Sequence, residues 1–168
     1  LYYDIANIYY QNNQDQLARQ NLDILLGKQP NHPGALLLKS RLALRERNWL
    51  LAKSLADKVL ANLTTDPDAQ LIAGISNFYL KNFETSLKYL LAVKHGLKPD
   101  HIGRRILAYL EIQEGTEGGE GLLRTLGWEE GQNLNLVTDL GIELAKLGRH
   151  EDAKLLFEKI VKSNPTDL

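Results

Sequence analysis

This 168-residue chain predicts an all-α fold, a stack of antiparallel helix pairs, on three observations. The stretch from Leu136 to Pro165 reads as two short amphipathic helices broken at Gly148, with Ala153, Phe157 and Ile160 on one face of the second. A small residue of its first helix then recurs upstream, at Gly141, Ala108, Gly74, Ser40 and Ala6, in steps of 33, 34, 34 and 34. A second series, Ala153, Glu120, Ser86, Ala52 and Ala18, repeats the same four steps. Small residues are needed where two helices approach most closely, because a larger side chain would push their backbones apart. Two series locked to one period mark five copies of one helix–turn–helix unit, at about 1–31, 32–65, 66–99, 100–132 and 133–168, forming a single array.

Taken in order, the first unit places Tyr2, Ile5, Ala6 and Tyr9 on the inner face of its first helix. Asn12 and Asn13 make the turn, and Leu17, Ala18, Leu22 and Leu25 line the second helix. The second unit opens at Asn31-His32-Pro33, where a proline in the first turn removes no helical hydrogen bond. Its first helix is expected over Ala35 to Arg47. Trp49 should wedge between its two helices, and the second helix, with Leu51, Ala52, Leu55, Val59 and Leu60, should run on to Leu63. In the third unit Asp66-Pro67 reads as an N-cap followed by proline at the first helical position. Leu71 to Lys81 and Ser86 to His95 are its helices, and Gly96 is its C-cap.

The fourth unit departs from the pattern. Pro99 to Glu114 begins a helix well, but Gly115 to Gly121 holds four glycines, each costing about 1 kcal/mol of helix stability against alanine. A late, short helix over Glu120 to Leu126 is expected there, with Trp128 covering the gap. In the fifth unit the closing Asn164-Pro165 has the form of another helix start. Leu1 falls inside a helix at the other end, so both ends look cut from a longer array.

Composition narrows the function. Apolar content is 43%, charged residues make up 24%, and the formal charge is -1, which offers no general attraction to nucleic acid or anionic lipid. The chain has no cysteine, which removes disulfides, thiolate metal sites and cysteine nucleophiles from this segment. No apolar run reaches the ~18–20 residues of a membrane span, so membrane insertion by this segment is not expected. The Gly-rich stretch lacks a following Lys-Ser/Thr and carries Glu117 and Glu120 where a phosphate would need bare amides. His32, His95, His101 and His150 lie at unit boundaries or turns without metal-ligand spacing, and read as solvated or capping residues. Nothing in the chain has the form of a catalytic constellation, and no cofactor or metal is expected.

The order of residues in each unit resembles the tetratricopeptide repeat (TPR), a 34-residue helix–turn–helix. The resemblance implies a right-handed superhelical solenoid whose first helices line a concave groove. Carrying the groove positions onto this sequence gives Tyr3, Asn7, Tyr10 and Gln11, then Leu37, Arg41, Leu44 and Arg45, then Leu71, Ile75, Phe78 and Tyr79. The last two units contribute Arg105, Tyr109, Ile112 and Gln113, and Thr138, Ile142 and Lys146. Tyrosine, arginine and apolar side chains are the types favoured in binding hot spots. The chaperone-tail clamp of some TPR proteins is not expected. Asn7 fits one of its positions, but Tyr3 and Leu38 occupy others.

A narrower resemblance lies in Pro30-Asn-His-Pro-Gly-Ala-Leu-Leu-Leu-Lys-Ser-Arg-Leu-Ala43 and Gly103-Arg-Arg-Ile-Leu-Ala-Tyr-Leu110. These look like the long TPR lipoproteins of bacterial exosortase/PEP-CTERM systems, over roughly residues 15–126. That resemblance implies a lipid-anchored scaffold on the periplasmic side of the cell envelope, linked to exopolysaccharide production and protein sorting. The expected function is therefore a non-enzymatic scaffold holding a peptide or protein in its groove. Direct exopolysaccharide binding by the tyrosines, or presentation of substrate to a catalytic domain elsewhere, are the alternatives. Uncapped array ends also leave self-association open.

Overall fold

Proline and a capping side chain start the first helices of the second and third pairs, and a left-handed turn ends each of them. The computed structural model describes residues 1–98, 101–113, 138, 141–142, 144–146 and 148–163. The expected helix over 120–126, Trp128 and the Gly-rich stretch lie outside the described residues. The helices are α1 (Tyr2–Gln11), α2 (Asp15–Lys28), α3 (Pro33–Arg45), α4 (Trp49–Leu60), α5 (Pro67–Tyr79), α6 (Phe83–Val93), α7 (Ile102–Gln113) and α8 (His150–Ser163). A 3₁₀ turn, Lys94–Gly96, follows α6, and helical residues 138, 141–142 and 144–146 precede α8. The chain divides into two compact units, Leu1–Val93 and Lys94–Leu168.

Side chains that accept orphan backbone N–H groups set the starts of α3, α4 and α5. The Asp66 carboxylate accepts from the Ala69 N–H at 2.8 Å, with Pro67 behind it at the first helical position. His32 does the same for α3, its Nδ1 accepting from the Ala35 N–H at 3.1 Å ahead of Pro33. The Asn48 side chain accepts from the Leu51 N–H at 3.2 Å to open α4.

The ends of the first helices share one geometry. Asn13, Arg47, Lys81 and Gly148 have φ of 57°, 58°, 65° and 76°. At each, the residue's own N–H donates three residues back and the next N–H donates five back: Lys81 to Phe78 and Asn82 to Asn77, at 2.9 and 2.8 Å. This is the Schellman closure, which satisfies carbonyls that a helix end leaves over. It also shortens two expected helices, because the residue turning left-handed cannot be helical. The first helix of the second pair ends at Arg45 rather than Arg47, and that of the third at Tyr79 rather than Lys81. The tail of α4 is likewise shorter than expected: the helix stops at Leu60, and Leu63 is reached through a turn.

In the first compact unit, α1/α2, α3/α4 and α5/α6 are hairpins. First helices touch successive first helices (α1 on α3, α3 on α5), and α2 and α4 also pack on the first helix that follows them, α3 and α5. The small-residue series sit where the hairpins close. Ala6, Ala18, Ser40 and Ala52 are fully buried, and in the third pair the Ser86 hydroxyl donates to the Gly74 carbonyl at 2.7 Å. A Cβ on Gly74 would lie 2.8 Å from Leu90. Two apolar clusters fill the space between pairs, one around Leu22, Leu38 and Leu42, the other around Leu36, Leu55, Val59 and Ile72. Burying one such side chain contributes about 1.5–3 kcal/mol. Leu17 lies 39% exposed, outside the core expected for it, because with Ile24 it falls on the outer side of α2, while Ala18 and Leu22 are buried. The second compact unit repeats the close approach: a Cβ on Gly141 would meet the Phe157 ring at 2.6 Å, and Ala153 is buried with Leu144 and Leu156.

Candidate functional site

First helix packs on first helix, α1 on α3 and α3 on α5, so the three lie side by side in the first unit. Tyr3, Asn7, Tyr10, Arg41 and Tyr79 are half-buried there and Arg45 is exposed. Three of the expected residues are instead buried: Ile75 at 6%, Phe78 at 7% and Arg105 at 5% exposure. Phe78 lies in the core of the first unit. Its ring lies edge-on to Tyr79 at 5.3 Å and 5.7 Å from Phe83. Tyr109, in the second unit, packs against the Leu144 cluster, and the Gln113 side chain lies outside the described residues.

The polar members of this group are held by neighbours. Arg41 donates to the Asp68 carboxylate at 2.7 Å, tying α3 to α5. Arg45 pairs with Asp15 and lies over the Tyr10 ring, 4.1 Å from its centroid, tying α3 to the first hairpin. Lys39 pairs with Asp23 and Arg19 with Glu46, so α3 and its C-cap are both tied to α2. The Tyr3 ring leans on His32 at 5.8 Å, and Gly34 lets it approach: a Cβ there would lie 3.1 Å from it. Partly exposed ion pairs of this kind contribute ~0–1 kcal/mol each, so they yield readily to a ligand's own charges.

Trp49 departs from its expected place. It stacks on Tyr79, centroids 4.1 Å apart and planes 13° apart, instead of lying between its own two helices. It is the first residue of α4, which packs on α5 as well as α3, and from that end its ring reaches the last turn of α5. Burial pushes the Tyr79 hydroxyl above the ordinary tyrosine range, and the positive charge of Arg47 offsets part of that rise. Neither Arg47 nor the Trp49–Tyr79 stack was among the expected site residues. The 34-residue frame could have flagged Arg47 and Lys81 together, since both occupy the second residue after a first helix's end.

Among the described residues no group of three or more His, Asp or Glu could hold a metal ion, and no helix is long and apolar enough to cross a membrane. His32 and His101 cap helix starts, the latter with Nδ1 accepting from the Gly103 N–H at 3.0 Å.

No protein-family model matches the chain, and no curated protein matches it. Solved structures do. YrrB, described as a TPR protein with an unusual peptide-binding site, is 17% identical, with a TM-score of 0.73 over 99% of this chain and 86% of that chain. The chain has the tetratricopeptide-repeat fold. MamA from Desulfovibrio magneticus RS-1 shares this TPR fold at 18% identity and a TM-score of 0.72, covering 99% of this chain and 94% of that one. The thermophilic TPR protein TTC0263 of Thermus thermophilus does so at 15% identity and a TM-score of 0.57, over 99% and 91% of the two chains.

Proposed function

We propose that this TPR chain is a non-enzymatic scaffold that holds a linear peptide segment of a partner protein on the face of α1, α3 and α5. The observation that carries this reading is the set of half-buried polar and aromatic side chains on adjacent first helices, Tyr3, Asn7 and Tyr10 on α1, Arg41 on α3 and Tyr79 on α5. Tyrosine brings large contact area at little entropic cost, and the Asn7 amide and Arg41 guanidinium can bond a peptide's carbonyls and carboxylates. YrrB, similar in fold, carries a peptide-binding site by its own description, which favours a peptide over a sugar as the occupant. The setting implied by the wording of Pro30 to Ala43, a lipid-anchored envelope scaffold in a bacterial PEP-CTERM system, belongs to this proposal. So does the extension of the repeat frame through all five units.

A random dodecapeptide display library selected on the full chain tests the reading. Enriched peptides should bind Asn7→Ala/Arg41→Ala about tenfold more weakly, with helical circular dichroism unchanged. Failure to enrich any peptide sinks the scaffold reading. Full binding to the double variant moves the site off this face.

A further inference from the structure

The Schellman turn after each first helix favours glycine, the one residue that takes a left-handed φ without a Cβ penalty. Gly148 fills that position in the last pair. Arg47 and Lys81 fill it in the second and third pairs, with φ of 58° and 65°. Both side chains are exposed, and neither has a carboxylate within ion-pair distance among the described residues. Arg45 and Glu46, the residues just before Arg47, are each paired with a neighbour. Lys81 has a distant ring beneath it, Phe83 at 5.8 Å. Two long cations thus stand at backbone positions that disfavour them, with no ion-pair partner among the described residues to compensate.

Between them lies an aromatic strip. Trp49 stacks on Tyr79, Tyr79 meets Phe78 edge-on, and Phe78 leans on Phe83. Arg47 lies close enough to Tyr79 for its charge to act on the hydroxyl, and Lys81 sits at the Phe83 end. Trp49 and Tyr79 are both half-buried, so their outer edges remain accessible. Cations bracketing aromatic side chains match an acidic segment that also brings an apolar side chain.

We propose that this turn edge of the first unit is a second recognition surface, one that takes an extended acidic peptide segment with carboxylates on Arg47 and Lys81. It rests on the peptide-scaffold reading and names the class of partner. Successive first helices pack about 8–10 Å apart, and the two cations are one repeat apart. An extended chain advances about 3.3 Å per residue. The segment that spans both cations therefore carries its acidic residues about three positions apart, with an aromatic or aliphatic residue between them over the Trp49–Tyr79 pair.

The same dodecapeptide selection on the full chain decides the matter when run beside Arg47→Glu/Lys81→Glu. Enriched sequences should show Asp or Glu about three positions apart, and the double charge reversal should weaken them about tenfold. Rising salt should weaken the wild type and leave the reversed variant nearly unaffected. Lys-for-Glu versions of the same peptides should prefer the reversed variant. Circular dichroism and the urea midpoint of the variant should match the wild type, because both residues are exposed. Enriched peptides without acidic residues, or equal binding to both proteins, overturn the proposal. Peptides lost on Asn7→Ala/Arg41→Ala but kept on Arg47→Glu/Lys81→Glu overturn it while leaving the scaffold reading in place. A wild type that takes up a sulfated oligosaccharide as well as it does the acidic peptides also overturns it, since the surface would then be a general polyanion site.

Discussion

At residue 81 the backbone turns left-handed with φ of 65° and carries a lysine; at residue 148 the same turn, at 76°, carries a glycine. A Cβ in this conformation costs about 1–2 kcal/mol, while a glycine there gives up about 0.5–1 kcal/mol of chain entropy. The two sites therefore predict opposite effects. Lys81→Gly should stabilise the protein by roughly 0.5–1 kcal/mol, since the lysine's ring contact is distant and exposed. Gly148→Ala should destabilise it by roughly 0.5–1 kcal/mol for conformational reasons alone, as the added methyl would meet nothing within 4 Å. Urea midpoints at unchanged slope are the measure, and a lower midpoint for Lys81→Gly would contradict the strain argument. If the glycine variant is also the weaker binder of acidic peptide, the turn trades backbone comfort for recognition at that one side chain.

At the scale of the helix, α3 and α5 begin alike but with different capping chemistry. Asp66 brings an acceptor and a negative charge to the positive end of α5, whereas His32 brings an acceptor alone to α3. His32→Ala should therefore cost about 1 kcal/mol, and His32→Asp should recover that loss or exceed it. Faster exchange of the Ala35 amide should accompany the alanine variant only; equal exchange in all three proteins would show that the cap contributes nothing. These starts were legible in the sequence because Pro33 and Pro67 announce them, and the hairpin closures were legible because packing forces small residues at Ala6, Ser40 and Gly74 and their partners. Helix ends were legible at Asn12-Asn13 and at Gly148 but not at Arg47 and Lys81, whose side chains give no sign of a left-handed backbone. The face was read in part. The repeat frame placed Asn7, Arg41 and Tyr79 on the surface, but it placed Ile75 and Phe78 there too, and both are buried. Burial depends on neighbours far away in sequence. Arg41 finds Asp68 27 residues on, and Trp49 finds Tyr79 30 residues on, pairings that a period cannot specify.

At the scale of the whole molecule, a repeat protein's stability is close to a sum of the stabilities of its units and of the interfaces between neighbours, so a run of about three units can stand by itself. The first compact unit meets that condition. Both of its apolar clusters, around Leu22 and Leu38 and around Leu55 and Ile72, draw only on residues between Tyr2 and Tyr89. Its ion pairs from α3 are closed within it as well, to Asp15, Asp23 and Asp68. A fragment of residues 1–93 should then be helical and unfold in one cooperative transition. It contains Asn7 and Arg41 on the first-helix face and Arg47 and Lys81 on the turn edge. It should accordingly bind the acidic peptides selected on the full chain within about threefold, a difference of well under 1 kcal/mol. Circular dichroism, a thermal melt and one titration suffice. An unfolded fragment would mean that these three pairs need the remainder of the chain for their core. A folded fragment that no longer binds would place essential contacts beyond Val93, and with them the recognition that the present reading assigns to the first three pairs.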